Sequence, residues 1–245
     1  PGRDERDPHQ IRIRKAGAAG LYVQRLPQLS DLQGRKEAGC ADQSIRIFKT
    51  VNGKTKNGVI VHSELLLEYL KKKYPGLYFV SSTTKVLTDF DRFTEEVDRE
   101  EFRYAVPDFR LNKALDQWDT LSERQKAKVE FLCNECCFYG CRDRKRCHEA
   151  VSRKNLGEDG PDHCCTAPGA GEGYRFSRAM KNPGFIGAEE IRSVYLPMGF
   201  SDFKIEGRGL GSALVLEFLL YYMTRPEYQI HVREEMYLDN MLDLF

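Results

Sequence analysis

From Asn57 onward the chain alternates short β-branched runs with helical stretches, and this alternation constrains the fold more than any other feature of the sequence. GVIVHS (58–63) reads as a buried strand, and ELLLEYLKKKY (64–74) places Leu65, Leu66, Tyr69 and Leu70 at helical spacing before Pro75-Gly76 stops it. LYFVSST (77–83) is a second strand, after which Asp89 caps the helix DFDRFTEEVDRE (89–100). FRYAVPDF (102–109) precedes the helix LSERQKAK (121–128), with Ser122 as N-cap, and VEFLCNE (129–135) runs into a cysteine-rich stretch. FSDFKIEGR (200–208) is the fifth strand, followed by an apolar helix after Gly211 and an amphipathic one, EYQIHVREEMYLDNML (227–242). Strands alternating with helices predict a parallel sheet with helical crossovers.

Five such units suit a (β/α) barrel or an open doubly wound sheet, and the chain reads as part of a TIM-type barrel, of which the intact form takes about 250 residues. Residues 1–44 show only short apolar runs and no sustained period, so they are expected to be a poorly ordered or non-native tail. Residues 45–245 are then a partial (β/α)-barrel domain with a cysteine-rich insertion at 133–165. The mismatch between the two parts suggests a truncated or frame-disrupted coding sequence lacking an N-terminal barrel half.

A net charge of +1 argues against a surface that is basic throughout. The longest apolar run, ALVLEFLLYYM (213–223), is interrupted by Glu217 and is too short to span a bilayer, which takes about 20 residues. The polar start PGRDERDPHQ carries no secretory signal, so a cytoplasmic location is expected.

That compartment bears on the thiols. FLCNECCFYGCRDRKRCHEA (131–150) holds five of the eight cysteines, and PDHCC (161–165) adds Cys164 and Cys165. In a reducing cytosol a dense cysteine group favours metal ligation over disulfides. Cys137, Cys141 and Cys147, completed by Cys164 or Cys165, give the four thiolates an iron–sulfur cluster requires. Zinc is the alternative, with Cys133 and Cys136 as one knuckle, although the adjacent Cys164-Cys165 makes a poor second. A third reading, thiols buried as small hydrophobes, suits Cys133 and Cys40 best. His148 and His163 flank the group as reserve ligands, and His62 ends its strand facing the same end of the sheet.

In FKIEGRGLGSAL (203–214) a strand ends in a glycine-rich turn before a helix. Lys204, Glu206, Arg208 and Gly209 are therefore candidates for substrate or anion binding. The basic run Arg142, Arg144, Lys145 and Arg146 could hold RNA or an anionic substrate, or form a solvated face balanced by Asp143 and Glu149. No Ser-His-Asp constellation and no HExxH motif is present.

VSSTTKVLTDF, LCNECCFYGC and FKIEGRGLGSAL together resemble the bacterial collagenase-like peptidase family of unknown catalytic type, over roughly residues 57–245. That group includes ubiquinone-biosynthesis and RNA-hydroxylation proteins. The resemblance implies a (β/α) barrel with a 4Fe-4S cluster, supporting oxygen-independent hydroxylation of a quinone precursor or an RNA base rather than proteolysis. It implies Cys137, Cys141, Cys147 and Cys165 as ligands, with Cys164, Cys136 and Cys133 as alternates. The alternative functions are a zinc-stabilised RNA- or protein-binding barrel fragment, or a peptidase.

Overall fold

The computed structural model describes residues 57–155, 163–207 and 210–241, together with Arg12–Ile13 and Leu21–Tyr22. Within them the strand–helix alternation organises the chain. The strands are β1 (Arg12–Ile13), β2 (Leu21–Tyr22), β3 (Gly58–Val61), β4 (Tyr78–Ser81), β5 (Phe102–Ala105), β6 (Glu130–Leu132) and β7 (Asp202–Lys204). All pair in parallel, in two sheets of order β2-β3-β4-β5 and β1-β7-β6. One parallel bridge, Ala105 to Val129, leads from the end of β5 to the residue before β6. Mixed α/β architecture with small parallel sheets is as expected, and no barrel is closed among the described residues. β1 and β2 fall within 1–44, and the rest of that segment lies outside the described residues.

Local chemistry sets the helices. Helix α1 (Glu64–Lys73) starts at Ser63, whose hydroxyl accepts from the Leu66 N–H, and carries Lys71, Lys72 and Lys73 in its last turn, where the helix dipole favours cations. Asp89 caps α2 (Phe90–Asp98), its carboxylate accepting from the Arg92 N–H at 3.0 Å. After α3 (Leu115–Asp119), Ser122 and Gln125 form a capping box at α4 (Glu123–Lys126). The chain continues through α5 (Arg144–Asn155), α6 (Phe176–Ala179) and α7 (Ala188–Glu190), which runs on into a π-helical turn, Ile191–Tyr195. Helices α8 (Ser212–Met223) and α9 (Gln229–Met241) finish it, and no helix among the described residues is long and apolar enough to cross a membrane.

Two buried clusters cover opposite faces of β3 to β5. Leu66, Leu67 and Leu70 of α1 pack on Val59, Val61, Phe79 and Phe102, while Val80, Tyr104 and Val106 turn the other way to meet Leu132. A bulge makes this possible. Phe79 pairs with Phe102 but Val80 pairs with Tyr104, so Arg103 is the extra residue that turns Phe102 and Tyr104 to opposite faces.

The largest cluster is aromatic. Trp118 is fully buried and meets Phe90, Phe93, Phe131 and Phe200 edge to face at 4.9 to 6.0 Å between ring centres. Its indole N–H donates to the Leu111 carbonyl at 2.8 Å, so the ring is buried with its polar atom satisfied. Phe131 of β6 continues the stack to Tyr195, Phe200 and Phe203. These rings fix β6 and β7 side by side, and so hold the residues leaving both strands close together.

Candidate functional site

Because the strands are parallel, the residues after β3, β4, β5, β6 and β7 emerge at one end of the sheets. They are His62, Ser82 to Thr84, Asp108 with Arg110, Asn134 with Glu135, and Glu206. Asn134 ties the last two strands together. Its side-chain oxygen accepts from the Glu206 N–H at 2.7 Å, and its amide donates to the Glu206 carbonyl at 3.0 Å and to the Tyr174 hydroxyl at 2.8 Å. Tyr174 in turn donates to the Asn134 carbonyl at 3.0 Å. Next, Gly207 adopts a φ of 111°, and a Cβ there would stand 2.7 Å from the Phe218 ring. Only glycine fits, so the turn that sets Glu206 into the mouth is specified by sequence.

A buried charge cluster occupies the mouth. Glu135 accepts from the backbone N–H groups of Cys136 and Cys137, both at 2.9 Å, and pairs with Arg144 at 2.7 Å. Arg144, 4 % exposed, also lies 3.4 Å from Asp108 and stands over the Phe109 ring at 4.9 Å. Arg110 grips Asp108 through two bonds of 2.6 and 3.0 Å and donates to the Cys141 carbonyl at 2.7 Å. Asn182 donates to the Cys137 carbonyl at 2.7 Å, so the cysteine loop is held from both sides.

Burial dominates the protonation of this cluster. It pushes the Glu206 carboxyl up to about 8, helped by the neighbouring Glu135 carboxylate and opposed by Arg144 and Lys204. His148 is pushed down to about 4 by burial and by the Arg144 charge, and its Nε2 is buried without a hydrogen-bond partner. Burial and then the Lys85 charge lower His62, whose Nδ1 lies 2.9 Å from the Thr84 hydroxyl.

All seven thiols among the described residues are free. Cys133 faces the aromatic core, where burial pushes its thiol far up. Cys136, Cys137, Cys141 and Cys147 are half-buried, while Cys164 and Cys165 are exposed. Burial lifts Cys137 to about 11 against the pull of Arg144, with Glu135 and Cys141 raising it further. Cys147 is raised by burial and then by the neighbouring Cys165 and Cys141. Cys137, Cys141, Cys147 and Cys165 thus form a chain of electrostatic neighbours. As donors they suit a thiolate-held centre. Among the described residues, however, no group of three or more His, Cys, Asp or Glu side chains stands in a metal-holding arrangement.

The other candidates divide. Lys204 and Glu206 lie at the mouth, whereas Arg208 and Gly209, like Cys40, are outside the described residues. His163 is half-buried just before Cys164. Within the basic run Arg142, Lys145 and Arg146 are exposed, but Arg144 turns inward. Sequence reasoning passed over Asp108, Arg110, Asn134, Glu135 and Tyr174. The polar residues directly after FRYAV and VEFLC were the available signal. No protein-family model, curated protein or solved structure matches the chain.

Proposed function

We propose that this chain is an iron–sulfur protein built on part of a TIM-type (β/α) barrel, with Cys137, Cys141, Cys147 and Cys165 holding a 4Fe-4S cluster. The observation that carries the reading is the row of four free thiols, Cys137 next to Cys141, Cys141 to Cys147 and Cys147 to Cys165, beginning beside the buried Arg144 after the end of a parallel strand, where (β/α) proteins place their chemistry. The strand order supports the barrel. The two sheets meet at Ala105 and Val129, and β1 and β2 lie at their far edges, so closure would run between these two strands.

In this reading the family resemblance supplies the reaction class, oxygen-independent hydroxylation of an RNA base or a quinone precursor. With all four irons held by thiolates, a bound cluster would supply electron transfer. The chain's own residues do the rest. Asn134 and Tyr174 fix the turn after β7, Arg110 and Asn182 fix the cysteine loop, and Lys204 and Glu206 line the mouth against the substrate.

The zinc reading loses support because its knuckle needs Cys133, whose thiol is enclosed by the core and donates weakly to the Phe131 carbonyl. The peptidase reading needs an accessible nucleophile with its base. His62 contacts Thr84, but that hydroxyl is buried and also engaged by Ser82 at 2.8 Å. Anaerobic purification followed by iron, acid-labile sulfide and zinc analysis tests the proposal. Iron and sulfide in equal amounts are expected, and stoichiometric zinc without sulfide would overturn it.

A further inference from the structure

We propose that Arg144 tunes the reduction potential of the four-thiol centre, its buried guanidinium holding that potential higher than the thiolates alone would give. This rests on the proposed function, in which Cys137, Cys141, Cys147 and Cys165 hold a 4Fe-4S cluster, and adds the residue that sets the cluster's electron affinity.

Three observations carry it. First, Arg144 begins α5 between Cys141 and Cys147 and is only 4 % exposed, so solvent ions screen its charge weakly. One carboxylate ties it to the cysteine loop. Glu135 accepts from the Cys136 and Cys137 N–H groups at 2.9 Å through Oε1, and from Arg144 at 2.7 Å through Oε2. Second, the guanidinium hydrogen-bonds the Cys137 thiol, and its charge also reaches Cys147, so it acts on two of the four ligands. Third, the main-chain N–H groups of three ligands are spent on oxygen. Cys137 donates to Glu135 at 2.9 Å, Cys141 to the Phe138 carbonyl at 3.0 Å and Cys147 to the Asp143 carbonyl at 2.8 Å. None of these three is left for sulfur, and the contact to sulfur comes from the Arg144 side chain instead.

Hydrogen bonds to the sulfurs and nearby charge both set the potential of an iron–sulfur centre. Reduction takes one electron from a one-electron donor, a reduced flavin or a second iron–sulfur protein, and adds one negative charge to the centre. No bond breaks and no proton moves. A cation beside Cys137 attracts that added charge and favours the reduced state, whereas Glu135 opposes it. Arg110 contributes less, since Asp108 grips it through two bonds and its third goes to the Cys141 carbonyl rather than to a thiol.

The test is a redox titration of the anaerobically reconstituted full chain, followed by the EPR signal of the reduced cluster. Arg144→Gln is expected to lower the midpoint by about 59 mV, a tenfold fall in the ratio of reduced to oxidised cluster at fixed potential. Arg144→Lys keeps the charge and is expected to stay closer to wild type than Arg144→Gln, an order that a purely structural role would not give. Glu135→Gln leaves the Arg144 charge uncompensated, while its amide oxygen can still accept from the cysteine loop, so its midpoint is expected to rise. An Arg144→Gln midpoint at or above that of wild type, or a lysine variant no closer to wild type, overturns the proposal. Should Arg144→Gln fail to fold, Glu135→Gln decides alone, and an unmoved or lowered midpoint overturns it. Iron and sulfide content of the same samples separates the two readings. A loaded wild type with unmoved variants overturns the role of Arg144 alone, whereas a wild type without iron and sulfide overturns the cluster and this proposal with it.

Discussion

Replacing Arg144 by Met should destabilise the chain by about 4 kcal/mol, and the structure shows where that comes from. Truncating one partner of a buried ion pair costs about 3–5 kcal/mol, because the other charge is left uncompensated. Here the remaining carboxylates keep other partners. Glu135 retains two backbone N–H donors and Asp108 retains the Arg110 fork, which puts this part at about 3 kcal/mol. Loss of the guanidinium over the Phe109 ring adds about 1 kcal/mol. At about 2–4 °C per kcal/mol for a chain of this size, the midpoint of thermal unfolding should fall by about 8–16 °C. The assay is urea unfolding with a chelator present, so that thiol ligation does not contribute. Trp118, the only tryptophan, is fully buried and makes its fluorescence the natural signal. Adding Glu135→Gln to the variant removes the stranded charge and should restore about 2 kcal/mol. If Arg144→Met alone lies within about 1 kcal/mol of wild type, Arg144 is not the electrostatic centre of the mouth.

Glu206→Gln should change how stability depends on pH. A carboxyl raised from 4.5 to about 8 by folding has no effect below pH 4.5, where both states are protonated, and weakens the fold progressively between pH 4.5 and 8. Unfolding curves of wild type and variant should therefore converge near pH 4 and separate by on the order of 4 kcal/mol above pH 8, the variant being more stable. Parallel curves would refute the shift. Val86 adopts a left-handed conformation, with a φ of 55°, at the end of the 3-10 turn after β4. Val86→Gly relieves that strain and should stabilise the chain by up to about 1 kcal/mol in the same assay, whereas a loss of that size would show that the valine's packing outweighs it.

The strands were legible because each is a compact β-branched or aromatic run ended by a turn or a capping residue. GVIV, YFVS, FRYA, EFL and DFK all emerge where those runs lie. The helix caps Asp89 and Ser122 were legible for the same local reason, whereas Ser63, read as the end of a strand, caps the next helix. The mouth was not. Arg144 sits among Arg142, Lys145 and Arg146, and no property of the run shows which of the four turns inward. That choice is made by Asp108 and Glu135, which lie in the segments after β5 and β6. Asn134 likewise looks like an ordinary residue after a strand, until β7 brings the Glu206 backbone within 3.0 Å of its amide. Helix α5 was hidden because its charged sequence carries little apolar periodicity, and its place comes from Arg144 docking at the mouth.

The central proposal is that Cys137, Cys141, Cys147 and Cys165, and not the core thiol Cys133, hold a 4Fe-4S cluster. Iron content per chain, measured on anaerobically reconstituted single Cys→Ser variants, tests it most directly. Wild type should hold about four irons, matched by sulfide. Replacement of Cys137, Cys141, Cys147 or Cys165 should lower that content sharply, while replacement of Cys133 should leave it unchanged in chains that fold. Iron retained in all four mouth variants, or lost only with Cys133, would contradict the account.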